Sequence, residues 1–136
     1  MKKLIITLFA LLFAQAISAA TKQPNVVVVF VDDLGWTDLG VYGSKFYETP
    51  HIDRLAKQGA RFTRAYSSCN VCSPTRASLM TGKYPQRIGF TSWLNPGRPS
   101  GPNSAATYIP VGETTIGEAF QQAGYRTGYI GKWHVG

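Results

Sequence analysis

At 136 residues the chain holds at most one domain. Its 14 Lys and Arg against 7 Asp and Glu give a formal charge of +7. The basic residues are scattered instead of gathered in one block, which argues against a nucleic-acid partner and suits either an anionic substrate or a solvated basic surface. No internal repeat or low-complexity tract is present, so repeat architectures are excluded.

Lys2 and Lys3 precede an apolar run over residues 4–14, and the small residues Ser18, Ala19 and Ala20 follow. This order is that of a secretory signal peptide cleaved after Ala19 or Ala20. The apolar run is too short to span a bilayer. Neither paired arginines nor a cysteine near the cleavage point marks a twin-arginine or lipoprotein route. The expected division is therefore a signal peptide over residues 1–20 and a mature portion over residues 21–136. The product is exported to the periplasm or the extracellular space, with no stable membrane insertion. Loss of Lys2 and Lys3 takes the formal charge from +7 to +5.

In the mature portion, Val26, Val27, Val28, Val29, Phe30 and Val31 form an unbroken apolar run. Such a run predicts a strand buried on both faces of a parallel sheet. Asp32 and Asp33 follow it directly. Adjacent carboxylates at a strand end repel each other unless a cation or hydrogen bonds compensate, and hard cations such as Ca²⁺ or Mg²⁺ take oxygen ligands of this kind. A solvated turn in which Asp33 acts as a cap is the plainer alternative.

Thr49 and Pro50 open a helix through Ile52, Leu55 and Ala56, stopped by Gly59. Residues 60–65 are expected as a strand. Next comes Cys72-Ser73-Pro74-Thr75-Arg76, the most informative stretch. Ser73 is expected as N-cap and Pro74 as first helical residue, with Ala77, Ser78, Leu79 and Met80 continuing a helix that Gly82 ends. Cys72 then faces the positive helix end, where free N–H groups favour anions, and Arg76 can grip an oxyanion bidentately.

Residues 89–112 form a long stretch rich in Pro, Gly, Asn and Ser; a loop of that length is usually functional. It contains Trp93, Arg98 and Tyr108, side chains suited to sugar faces and anionic groups. Thr114 is expected to cap a helix through Ile116, Ala119 and Phe120 ending at Gly124, and residues 125–130 return as a strand. Lys132 and His134 follow. Two residues apart in extended backbone, they would project to one side while Trp133 projects to the other. The βαβαβ order predicts an α/β doubly wound sheet, and all three polar clusters fall at its strand or helix ends, where open α/β sheets place ligands.

Cys69 and Cys72, the only cysteines, have Cys-x-x-Cys spacing. A zinc site needs four ligands, and His51 and His134 lie far off without paired spacing. A thioredoxin-like dithiol remains open on spacing alone, and a disulfide between the two would silence Cys72.

Two long stretches carry a family resemblance. The run from Cys72 through Arg76 and on through Ala77-Ser78-Leu79-Met80-Thr81-Gly82 resembles the first signature of the type I sulfatases, in the alkaline phosphatase-like superfamily. Gly124-Tyr125-Arg126-Thr127-Gly128-Tyr129-Ile130-Gly131-Lys132-Trp133-His134-Val135-Gly136 resembles the second. Asn70, just upstream, departs from the family's usual small residue. The resemblance covers residues 24–136 and implies the N-terminal part of an alkaline phosphatase-like, mostly parallel, doubly wound sheet, incomplete in this chain.

It further implies that Cys72 is oxidised to formylglycine by a transient maturation enzyme and hydrated to a geminal diol. Asp32, Asp33 and the modified Cys72 would be ligands of Ca²⁺, with Mg²⁺ the alternative. Arg76 would hold the diol, Lys132 would bind the sulfate group of a sulfated carbohydrate or aryl sulfate, and His134 would hydrogen-bond the diol. One diol oxygen would attack sulfur and the alcohol leave. A base, His134, would then take the proton of the second hydroxyl, so that sulfate departs and the aldehyde returns. An ordinary serine, lacking that second hydroxyl, would stay sulfated.

The family's remaining metal and sulfate-pocket residues are expected beyond residue 136, which makes a fragment that is inactive and poorly stable by itself the expectation. Two other readings stand beside this one: a phosphoester or phosphonate hydrolase of the same superfamily, and a non-catalytic secreted binder of sulfated glycans.

Overall fold

The computed structural model describes residues 23–94 and 106–136. The expected signal peptide, residues 1–20, and Arg98 in the long loop lie outside the described residues. Two compact units divide the chain, Met1–Phe30 and Val31–Gly136. In the first, residues 23–30 form neither helix nor strand and are exposed throughout.

The second unit contains three α-helices: α1 (Pro50–Gln58), α2 (Cys72–Thr81) and α3 (Ile116–Gln122), with 3₁₀ turns at Gly40–Tyr42 and Pro85–Ile88. Pro50 starts α1, as the sequence predicts, but Thr49 does not cap it through its side chain. Its hydroxyl instead accepts from the Gly40 N–H (2.8 Å) and donates to Asp53 Oδ1 (3.1 Å), while Asp53 also accepts from the Val41 N–H (2.7 Å). These bonds tie the 40–42 turn onto α1. A Cβ at position 40 would lie 2.5 Å from Asp53 Oδ2, so any other residue there would displace the carboxylate that makes these bonds.

α2 begins earlier than expected. Cys72 is its first residue and Val71 its N-cap, so Ser73 is not the cap. Pro74 still lies in the first turn, where its missing N–H breaks no helical bond. The Ser73 hydroxyl accepts from the Leu94 N–H at 3.2 Å, which binds the start of the long loop to the start of α2. Gly82 ends the helix in the left-handed conformation (φ 66°), its N–H bonded to the Ser78 carbonyl. α3 is capped by Thr115, not Thr114, through a reciprocal box with Glu118. It stops at Gln122, and Gly124 takes the left-handed turn beyond (φ 86°).

α2 is the one helix with buried residues among those described. Ala77 on its inner face packs with Ile88, Phe90 and Val135, and Leu94, Ala106 and Ile109 cover the edges. Burial of an Ile- or Phe-sized side chain contributes about 1.5–3 kcal/mol, so this small cluster fixes how the C-terminal segment meets α2.

No β-strand forms among the described residues. Residues 26–31, 60–65 and 125–130 do not pair into ladders, so the expected strands are not seen among the described residues. A strand needs the N–H and C=O groups of a neighbour on at least one edge, and here the apolar runs lie open: Val27 is 83% exposed and Ile130 99%.

Candidate active site

The core sets the site. Val135, buried against α2, accepts a hydrogen bond from the Ile109 N–H through its carbonyl (3.2 Å). Its neighbour His134 is thereby held over the first turn of α2, where Nδ1 lies 3.4 Å from Cys72 Sγ. His134 reaches this place with a left-handed backbone (φ 57°), not the extended backbone expected after a strand. Gly131 (φ 101°) turns the chain just before. The segment is a turn that folds back on α2, and residues 132 and 134 converge by that route.

Arg76, one turn along α2 from Cys72, has its side chain only 6% exposed. Its Nη1 donates to the Lys132 carbonyl (2.5 Å) and to the Tyr129 hydroxyl (3.3 Å). Nη2 lies 3.6 Å from Asp32 Oδ1, while Lys132 Nζ bonds Asp32 Oδ2. Asp32 is therefore bracketed by two cations. The hydrogen bond from Lys132 lowers its carboxyl most; desolvation opposes this, and the charges of Lys132 and Arg76 then bring it below the usual range. Lys132 is pushed up in turn, first by its bond to Asp32 and then by the Asp32 charge, against the opposing effects of desolvation and of the Arg76 charge.

Asp32, Cys72, Arg76, Lys132 and His134 thus come together. Asp33 is adjacent to the group, exposed, and in the left-handed conformation (φ 56°). Its chemistry and that of Asp32 suit a hard cation. The number of donors does not: Ca²⁺ takes roughly six to eight oxygens, Asp32 is already ion-paired, and no group of three His, Cys, Asp or Glu among the described residues could hold a metal ion. These residues alone do not fit a complete Ca²⁺ site.

Cys69 and Cys72 are both free thiols. Cys69 Sγ lies 3.6 Å from Asn70 Oδ1. His51 is exposed on α1. Trp93 and Tyr108 at the ends of the long loop are exposed, as contacts with a substrate would require.

Two contributors are absent from the reading of the sequence. Tyr129 accepts from Arg76 and donates to the Lys132 carbonyl, a placement that only the turn at Gly131 creates. Thr75 holds the chain leading into α2, donating to the carbonyls of Cys69 (2.8 Å) and Val71 (2.9 Å) and pairing with Ser67 Oγ at 3.0 Å. The signal for Thr75 was its place in the first turn of α2, where a hydroxyl can reach back four residues to a carbonyl.

Comparison with known proteins follows the same residues. The family model described as Sulfatase matches residues 24–136. Arylsulfatase H of Homo sapiens is 44% identical over 114 residues, covering 84% of this chain and 20% of that protein. Steryl-sulfatase of Homo sapiens is 42% identical over 130 residues (94% and 22%), and N-acetylgalactosamine-6-sulfatase of Homo sapiens 42% over 120 residues (88% and 23%). A solved sulfatase structure from work on the metabolism of multiple glycosaminoglycans by Bacteroides thetaiotaomicron superposes with a TM-score of 0.73 at 41% identity, over 85% of this chain and 23% of that one. The chain spans about a fifth of the length of the curated relatives it matches. With a family model matched over residues 24–136, the chain belongs to the sulfatase family.

Proposed function

We propose that this chain carries one side of the active site of an exported sulfuric ester hydrolase, acting on a sulfated carbohydrate or an aryl sulfate. The observation that supports this best is the convergence at the start of α2: Cys72 Sγ lies 3.4 Å from His134 Nδ1, beside Arg76 and Lys132. Cys72 is the residue to be converted to formylglycine by a transient maturation enzyme. When formed, that group supplies a hydrated aldehyde, whose two hydroxyls allow attack on sulfur and later release.

The chain's own residues do the rest. His134 Nδ1 is placed to accept or return a proton at the atom that replaces Sγ. Lys132 and Arg76 offer two positive charges to the oxygens of a sulfuryl group, whose negative charge grows as the ester bond breaks. Arg76, largely removed from solvent, is held in one orientation and needs little reorganisation to do so. Asp32, Asp33 and residue 72 would be three contributors to a Ca²⁺ or Mg²⁺ site whose remaining ligands come from outside the described residues. With only those contributors, the 136 residues alone would not turn over a sulfate ester.

The alkaline phosphatase-like doubly wound sheet belongs to the same proposal, the TM-score of 0.73 supporting it. Residues 26–31, 60–65 and 125–130 would pair as its strands once neighbouring strands are supplied. The named relatives differ in what they act on, from steryl to N-acetylgalactosamine sulfates. A sulfated carbohydrate is favoured by the glycosaminoglycan context of the structural neighbour. Export fits a chain in which no helix among the described residues is long and apolar enough to cross a membrane.

Binding tests the anion half of the reading without requiring turnover. 4-Nitrophenyl sulfate is expected to perturb the Lys132 and Arg76 side-chain resonances, and Lys132→Ala to weaken it about tenfold, as loss of a charged hydrogen bond does. Equal binding of neutral 4-nitrophenol, or indifference to Lys132→Ala, would contradict the proposal.

A further inference from the structure

Tyr129 stands at the junction of the two cations. Its hydroxyl accepts from Arg76 Nη1 at 3.3 Å and donates to the carbonyl of Lys132, which itself accepts from the same Nη1 at 2.5 Å. The three groups form a closed triangle of guanidinium, phenol and peptide. One edge of the Arg76 guanidinium is occupied by it, which leaves Nη2 turned toward Asp32 at 3.6 Å. The Lys132 backbone is fixed by the same carbonyl, so its Nζ reaches the other oxygen of Asp32. The ring is steadied by Trp133, edge-on with centroids 5.1 Å apart.

We infer that Tyr129 is a positioning residue for the sulfate-gripping pair Arg76 and Lys132: its hydroxyl sets the direction in which the guanidinium presents Nη2 and where the Lys132 stem leaves the backbone. This rests on the proposed function only for the identity of the anion. A guanidinium donates in a fixed plane, so turning its Nη1 edge inward determines the direction of Nη2. Removal of the hydroxyl takes away one of the two acceptors that the triangle gives Nη1 and so loosens that edge of the guanidinium, while Nη2 still faces Asp32. The peptide that carries Lys132 is released at the same time.

The test uses the 136-residue chain labelled with ¹⁵N-arginine, titrated with inorganic sulfate. In the unaltered chain the Arg76 guanidinium protons are expected as separate, slowly exchanging signals, and sulfate shifts them. Tyr129→Phe keeps the ring against Trp133 and removes only the hydroxyl. The Arg76 signals should then broaden or merge, and sulfate affinity fall about tenfold, the size of effect of a lost hydrogen bond to a charged group. Tyr125→Phe, whose ring packs edge-on with Phe120 away from the triangle, should change neither.

Tyr129→3-fluorotyrosine alters the donor and acceptor strength of the same hydroxyl at nearly constant shape, so it must move the Arg76 signals even where the Phe variant does not fold. Arg76 signals and sulfate titration unchanged in the Tyr129 variants would overturn the inference. Arg76 signals that respond to Tyr129→Phe in a chain that binds no sulfate would uphold the positioning role and count against the sulfate-ester reading instead.

Discussion

Asp32 is the residue on which the charges of the site close. Its folded carboxyl titrates below the ordinary 3.8, so the stability it contributes is complete above that value and is lost as pH falls through the lower folded value. Lys132 runs the other way. Raised above 10.5, it contributes fully below that pH and loses the contribution as pH rises through the higher folded value. Both groups are solvent-accessible, which keeps the effect small and salt-sensitive. Melting temperature measured from pH 2 to 12 should be flat between the two limits as far as this pair is concerned. Asp32→Asn should return Lys132 toward its ordinary value, read from its side-chain ¹⁵N shift. An unchanged Lys132 titration would show that the pair does not form.

How the sequence could and could not show these residues follows from their chemistry. Cys72, Arg76, Lys132 and His134 were legible because each stands in a long motif and beside a turn or helix start. Tyr129 was not, because its role depends on where its hydroxyl arrives after the backbone reverses at Gly131. The left-handed His134 was equally hidden, since a non-glycine residue at φ 57° is uncommon and carries no local mark.

Among the elements, helices were read more closely than strands for a physical reason. α1, α2 and α3 are signalled by residues within a few positions of their ends, such as Pro50, Gly82 and the Thr115 and Glu118 pair. Their starts differed from expectation where two hydroxyl residues stood side by side, Thr114 and Thr115, or where a cap was assigned to Ser73 that instead binds Leu94. Strands depend on neighbours distant in sequence, and an apolar run such as residues 26–31 says only that it would pair if it could. The cap on α3 gives a direct prediction. Thr115→Ala removes the acceptor for the Glu118 N–H and one arm of the box, and should cost about 1 kcal/mol of local stability. Amide exchange at residues 116–119 should speed up about fivefold, while exchange in α2 stays as it was.

Across the second unit, position is set by a very small core. Ala77, Ile88, Phe90 and Val135 are the buried hydrophobics described, whereas Trp36, Phe46 and Tyr66 are more than three-quarters exposed. Val135→Ala should therefore cost about 2 kcal/mol through lost apolar burial and the cavity left behind. Because the backbone of Val135 carries His134, the same variant should also loosen the contact between Cys72 and His134, seen as moved His134 ring resonances in the unmodified chain. With so little buried surface and so much apolar surface open, residues 20–136 should be only marginally stable, with a low melting temperature, and leave an aryl sulfate intact. A high melting temperature with turnover would overturn that expectation.

Cys72 is the residue proposed as the seat of the chemistry. The most direct measurement is mass spectrometry of the tryptic peptide over residues 65–76, from chain produced in cells whose formylglycine-generating enzyme converts a known sulfatase in parallel. This peptide carries both cysteines. Formylglycine is expected at Cys72 and an alkylatable thiol at Cys69. Recovery of both positions as unmodified thiols, with the parallel sulfatase fully converted, would contradict that assignment.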